Sequence, residues 1–207
     1  DPGHASIGAL PFILSLKAAG TPLYGDPEFD SGNNSVNVYN NAGNGAVTIT
    51  RIADNQYSAN SSGYILQIST SATTATPGRG GFYQNMTSRA GAIFCQIFRA
   101  KVPTGYTLTN AENSMGSSYK THWLTSRACT GKWEWYCSVT FCGTSGTFSN
   151  GGHVYLNADA GGTAAVTWYL SYCNTIDLTK ANYDGLRSSY AGTATQLASN
   201  AGSATNP

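Results

Sequence analysis

The sequence predicts an all-β fold, a two-sheet antiparallel jelly-roll β-sandwich, on three observations. Only 10% of the 207 residues are Asp, Glu, Lys or Arg, against about 25% in an ordinary soluble domain. Twenty-four glycines, with Asn, Ser and Thr, supply the polar surface instead. That balance suits strands and turns; helix surfaces draw on Glu, Lys, Gln and Arg. Lastly, short apolar or alternating runs recur between turn signals, and no helical period competes with them.

Taken in order, Ser35–Tyr39 leads into the turn cluster Asn40-Asn41-Ala42-Gly43-Asn44-Gly45. Ala46–Ile52 alternates, with Val47 and Ile49 on one side and Thr48 and Thr50 on the other. Tyr64–Ser69 follows Ser61-Ser62-Gly63, and Gly81–Gln84 follows Pro77-Gly78-Arg79-Gly80. Ala92–Ala100, Trp133–Phe141, His153–Leu156 and Val166–Cys173 complete a set sufficient for two sheets. Strand parity then assigns faces. Trp133, Trp135, Cys137, Val139 and Phe141 form the expected buried set, and Glu134, Tyr136, Ser138 and Thr140 the set facing solvent or a groove. Likewise Val166, Trp168, Leu170 and Tyr172 separate from Thr167, Tyr169, Ser171 and Cys173. Tyr136 and Tyr169 are therefore expected to point away from the core.

Three regions follow: a Gly/Pro-punctuated lead-in (1–22), the strand-bearing domain (23–180) and a tail (181–207) poor in bulky apolar groups. The lead-in carries one apolar run, Ala9–Leu16, placed either against neighbouring chains or over the chain's own sandwich. No stretch approaches the roughly 20 apolar residues that cross a bilayer, so membrane insertion is not expected. The start, Asp1-Pro2-Gly3-His4, leads to the expectation of a processed product or a segment of something longer.

Five cysteines without Cys-x-x-Cys spacing argue against both a complete disulfide framework and a zinc site. Cys95, Cys137 and Cys173 sit among apolar strand residues, which favours reduced core thiols and folding in a cytoplasm. Net charge is +1, giving no case for nucleic acid. Charge is uneven, however: between Arg79 and Lys132, the cations Arg79, Arg89, Arg99, Lys101, Lys120, Arg127 and Lys132 stand against Glu112 alone. Either these cations protect sheet edges, or they form a basic rim around a site for an acidic glycan.

The segment Leu23-Tyr24-Gly25-Asp26-Pro27-Glu28-Phe29-Asp30-Ser31-Gly32 resembles the opening of carbohydrate-binding modules with the galactose-binding-like jelly roll. Gly78–Asn85 resembles their Gly-rich strand ending in an aromatic and Gln. Thr130–Tyr136 resembles their Gly-x-Trp-x-x-Tyr strand, and Val166–Leu178 their closing strand with its Asp. The likeness spans about residues 23–179. The segments Ala100–Tyr106, Thr130–Tyr136, Cys142–Ser149 and Val166–Tyr169, with the Ala/Thr/Asn tail, also resemble modules in fibre proteins of tailed gut phages. This second resemblance implies a virion-surface protein, folded in a host cytoplasm and self-associating as a homotrimer.

Sugar binding needs aromatic faces for the apolar sides of pyranose rings and planar polar groups for hydroxyls. Tyr83, Tyr136 and Tyr169 are the candidates on a sheet face; Tyr119, His122 and Trp123 are those in the long Thr107–Thr130 connection. Arg79, Gln84, Asn85 and Glu134 are candidate hydrogen-bonding partners. Ordinary packing competes for each of them. The module resemblance further implies a structural calcium near Glu28 and Asp177, with Asp26 as an additional donor; turn and edge chemistry is the alternative.

Catalysis has little support. Glu28, Glu112 and Glu134 are the only glutamates, and a glycosidase needs two carboxylates across one bond. His4, His122 and His153 lack a Gly-x-Ser-x-Gly context. The expected function is non-catalytic: a phage-fibre domain binding host-surface carbohydrate. The alternatives are a carbohydrate-binding module of a secreted, extracellular polysaccharide-degrading enzyme, and a purely structural capsid or fibre spacer.

Overall fold

The structure, a computed structural model, describes residues 20–40, 46–72, 80–85, 93–110, 119–142, 154–158 and 164–178. Those residues contain eleven strands and no helix. In chain order these are β1 (Thr21–Pro22), β2 (Asn37–Tyr39), β3 (Val47–Ala53), β4 (Tyr64–Thr70), β5 (Gly81–Tyr83) and β6 (Ile93–Lys101). Next come β7 (Tyr106–Asn110), β8 (Tyr119–Trp123), β9 (Trp133–Cys142), β10 (Val154–Ala158) and β11 (Val166–Asp177). Runs rich in Val, Ile, Thr and aromatics form them, because such side chains pack well on a pleated surface.

Two antiparallel sheets result. The seven-stranded sheet runs β3-β4-β11-β6-β9-β8, with β1 paired to the end of β11; the four-stranded sheet runs β2-β5-β10-β7. The pairings nest. Strand β4 pairs with β11, β5 with β10 and β6 with β9. Innermost, Thr107 of β7 bridges Ala128, beyond β8. A long hairpin rolled across two sheets has this nesting, which is the jelly-roll winding. Strands β7 and β8 lie in the segment expected to be one long connection. The outer parts of the lead-in and tail, residues 1–19 and 179–207, lie outside the described residues.

The main core lies between the sheets. Phe82 of the smaller sheet meets Phe98 edge-on at 5.3 Å and Trp168 at 5.8 Å. Phe98 in turn stacks on Tyr136 at 5.3 Å. All four side chains are at most 1% exposed, and burying each stabilises the fold by about 2–3 kcal/mol. Gly80 closes one margin with φ of +65°, and a Cβ there would fall 2.5 Å from Val47 Cγ2 and 2.6 Å from Tyr39 O. A side chain at that position would push β2 and β3 apart.

A second apolar cluster occupies the opposite face of the larger sheet. Cys95, Ile97, Cys137, Val139, Tyr172, Ile176 and Leu178 form it, with Trp135 edge-on to Tyr172 at 5.1 Å. The larger sheet is therefore apolar on both faces over much of its area, and this corrects two parity expectations. In β9 the faces are inverted: Tyr136 joins the core between the sheets, while Trp135, Cys137 and Val139 face outward into the second cluster. In β11 the register slips between Leu170 and Tyr172, so Cys173 turns inward with Leu170, and Tyr172 turns outward.

Candidate functional site

Beyond the second cluster, the outward face of the larger sheet changes character. Cross-strand register there sets Thr50 opposite Gln67, Gln67 opposite Tyr169, Tyr169 opposite Lys101, and Lys101 opposite Trp133. Inward Leu66, Ile68, Trp168, Leu170 and Ala100 fix this row by alternation, since their neighbours must face outward. Five adjacent strands make the row about 19 Å long. Thr50 is exposed and the other four are half-buried. A parallel row of Thr48, Ser69 and Thr167 lies alongside, with a 3.0 Å hydrogen bond between the last two hydroxyls.

The turn between β3 and β4 holds one end of this row. Trp133 Nε1 donates to the Gln56 carbonyl at 3.0 Å, and Lys101 Nζ donates to Gln56 Oε1 at 3.1 Å. Asp54 shapes the turn by accepting from the Gln56 amide at 3.0 Å, the Ser58 amide at 2.8 Å and the Ser58 hydroxyl at 2.6 Å. Burial would raise its pKa, but these bonds outweigh burial and hold the carboxyl below its ordinary value. Arg99 donates to the Ser58 carbonyl and lies 5.6 Å from the centre of the Trp133 ring. Burial lowers its pKa, against the opposing pull of Asp54 and Glu28. At the turn's tip Tyr57 is 89% exposed, with φ of 56°.

Of the residues expected at a binding site, Tyr169 stands in the middle of this row. Tyr83 follows the inward Phe82 on β5, opposite Asn37, and so lies on the outer face of the smaller sheet. Tyr83 and Tyr169 thus occupy opposite sides of the sandwich and cannot share one ligand.

Tyr136 is a correction: it is 1% exposed and packed on Phe98, and burial pushes its phenol pKa up. Glu134 accepts from the Tyr136 hydroxyl at 3.0 Å and shares that strand parity, away from the outer row. Gln84 is also a correction. It is fully buried, donating to the Asn34 carbonyl at 2.7 Å and accepting from Thr175 at 3.0 Å. Trp123 is 9% exposed and edge-on to Phe98 at 6.2 Å, a core contact in place of a loop contact. Asn85 is exposed, and its carbonyl accepts from Tyr24 at 2.6 Å. Tyr119 and His122 belong to β8, but their side chains, like the whole of Arg79, lie outside the described residues.

Two of the carboxylates expected near a calcium ion, Asp26 and Glu28, accept hydrogen bonds from loop residues. Asp26 accepts from the amides of Asp30 at 2.6 Å, Ser31 at 3.0 Å and Gly32 at 2.9 Å. Burial opposes its ionisation, yet these bonds keep its pKa below the ordinary value. Glu28 accepts from the amide and hydroxyl of Ser61. Asp177 stands opposite Thr21 and Phe94. Among the described residues no three His, Cys, Asp or Glu side chains gather to hold a metal ion.

Thr50, Gln67, Lys101 and Trp133 of this row, and Tyr57 in the turn beside it, are not among the binding candidates of the sequence reading. Lys101 was visible only as one cation of a basic stretch, and Trp133 was assigned to the core. Tyr57, a lone aromatic within Asn55-Gln56-Tyr57-Ser58, was the clearest available signal. Together the row offers flat aromatic surfaces beside a planar amide and a cation.

No family model and no curated protein matches the chain. Solved structures do. An arabinose-bound α-L-arabinofuranosidase is 14% identical with a TM-score of 0.49, over 77% of this chain and 27% of that one. The chain thus spans just over a quarter of that enzyme. A Stig cyclase from Fischerella sp. TAU is 9% identical with a TM-score of 0.41, over 76% and 98% of the two chains. The family 11 carbohydrate-binding module of a cellulosomal cellulase from Clostridium thermocellum is 12% identical with a TM-score of 0.37, over 76% and 95%. The likeness is one of fold.

Proposed function

We propose that the domain binds carbohydrate on the outer face of its larger sheet, along Thr50, Gln67, Tyr169, Lys101 and Trp133. The observation that carries this reading is the placement of two half-buried aromatics, Tyr169 and Trp133, on either side of Lys101 in one cross-strand row. Aromatic rings receive the C–H faces of pyranoses, and the Gln67 amide and Lys101 ammonium supply donors for hydroxyls. An elongated, open row suits a chain of sugars better than a single enclosed one. No carboxylate stands in the row, so the proposed activity is binding without hydrolysis. The test is a glycan array probed with the wild-type domain and with Tyr169→Ala and Trp133→Ala. Specific binding lost in both variants supports the reading; binding untouched by either removes the site from this face.

The setting we infer is an adhesive phage fibre, supported by the resemblance of Ala100–Tyr106, Thr130–Tyr136 and Val166–Tyr169 to fibre modules. A homotrimer would present three copies of the row, and multivalency would convert weak contacts into firm attachment. The same row would serve a module of a secreted polysaccharide-degrading enzyme. Light scattering separates the two: a trimer favours the fibre, and a monomer favours the enzyme module. A domain that binds no glycan would be a structural spacer.

A further inference from the structure

We propose that the ligand is an acidic glycan, whose sugar carboxylate is held by Lys101. This rests on the carbohydrate reading and adds the class of sugar. Three observations converge on Lys101. Its hydrogen bond to Gln56 Oε1 at 3.1 Å goes to a neutral amide. An ammonium has three donors, so two remain for a ligand. Its cross-strand neighbours are Tyr169 and Trp133, so the charge sits between the two rings that would hold a sugar.

The surroundings also leave that charge without an acidic partner in the site. Thr50, Gln67, Tyr169 and Trp133 in its own row, and Thr48, Ser69 and Thr167 in the next, include no carboxylate. The nearby Asp54 carboxylate is engaged by Gln56 and by Ser58, through its amide and its hydroxyl. Arg99, a neighbouring cation on this face, already donates to the Ser58 carbonyl and lies in the field of Asp54 and Glu28. Lys101 is therefore the cation of this row that a carboxylate would complement. A compact ammonium meets it as a point charge, with no need for the two-pronged geometry that arginine imposes.

The experiment uses matched pairs of oligosaccharides. Glucuronate-, galacturonate- and sialate-bearing glycans are titrated beside the same glycans after carboxyl reduction, which removes charge and keeps shape. The expected result is about tenfold tighter binding of at least one acidic member than of its reduced partner at low salt. That ratio should shrink as sodium chloride rises, and it should fall to about one in Lys101→Gln. The thermal midpoint of Lys101→Gln is measured alongside to show that the variant is folded. Equal binding of acidic and reduced partners, or a ratio unchanged in Lys101→Gln, overturns the acidic-glycan inference while leaving the sheet-face site standing. Failure of every glycan, acidic and neutral, overturns both.

Discussion

Leu170 faces the space between the two sheets, and Tyr172, two residues later on the same strand, faces the opposite way. The register slip between them leaves Ser171 as the extra residue. It lets β11 serve two surfaces: before it, Tyr169 points into the outer polar row; after it, Tyr172 and Ile176 point into the outer apolar cluster. Ser171 also anchors the covering turn, since its carbonyl accepts from Asn60 at 3.1 Å.

Deleting Ser171 would remove the bulge yet keep the faces, since Leu170 and Tyr172 would then alternate as neighbours opposite Ala100 and Arg99. Deletion should cost about 1 kcal/mol in urea unfolding, from loss of the Ser171 carbonyl that accepts from Asn60. The Ser171 hydroxyl is buried and has no hydrogen-bond partner among the described residues. Ser171→Ala should accordingly be neutral or stabilise by up to about 1 kcal/mol. A deletion costing more than about 3 kcal/mol would contradict the reading of Ser171 as an extra, unpaired residue.

Tyr136 should behave as a core residue. Tyr136→Phe loses the hydroxyl's 3.0 Å bond to Glu134 and its contact with Cys129, a cost of about 1–2 kcal/mol. Tyr136→Ala should cost about 3–5 kcal/mol by opening a cavity beside Phe98. Glycan affinity of Tyr136→Phe, measured on the folded protein, should match wild type. A selective loss of affinity in that variant would return Tyr136 to the binding surface.

Much of this was legible in the sequence, and the failures have physical causes. Alternation in Ala46–Ile52 located β3 and separated Val47 and Ile49, which face the core, from Thr48 and Thr50, while the turn signal Ser61-Ser62-Gly63 located β4. In β9 the more apolar set was assigned to the core, yet the outer face bears its own apolar cluster. Where both faces are buried, parity separates the two sets of residues without saying which sheet face each occupies. Gln84 looked available for sugars because nothing local announces its partners Asn34 and Thr175, 50 and 91 residues away. A single inserted residue such as Ser171 leaves no compositional mark. Tyr169 precedes the slip and takes the outward face that parity predicts.

Acid should destabilise the fold through its turns. Asp26 and Asp54 both have folded pKa values below the ordinary 3.8. Such groups contribute stability in full above the unfolded value and lose it as pH falls through the folded one. The thermal midpoint should fall as pH drops below about 4, and Asp26→Asn and Asp54→Asn should each flatten that decline while lowering the midpoint at neutral pH. A wild-type profile retained in both variants would assign the acid sensitivity elsewhere.

The buried thiols should be silent in the native state. Cys95 and Cys137 lie with their sulfurs 3.3 Å apart, and both are fully buried, as is Cys173. The contact with Cys137, followed by burial, drives the Cys95 pKa up, and burial does the same for Cys173. Alkylation at pH 8 followed by peptide mapping should leave Cys95, Cys137 and Cys173 unmodified until denaturant is added. Rapid labelling of any of the three in the folded protein would contradict their placement.

The two outward tyrosines separate the two faces of the sandwich most directly. Calorimetric titration with a glycan identified on the array should show affinity falling about 5- to 13-fold in Tyr169→Ala, since one stacking contact contributes about 1–1.5 kcal/mol. Tyr83→Ala, on the smaller sheet, should bind as wild type does. Loss of binding in Tyr83→Ala with full affinity in Tyr169→Ala would place the site on the opposite face and contradict the proposal.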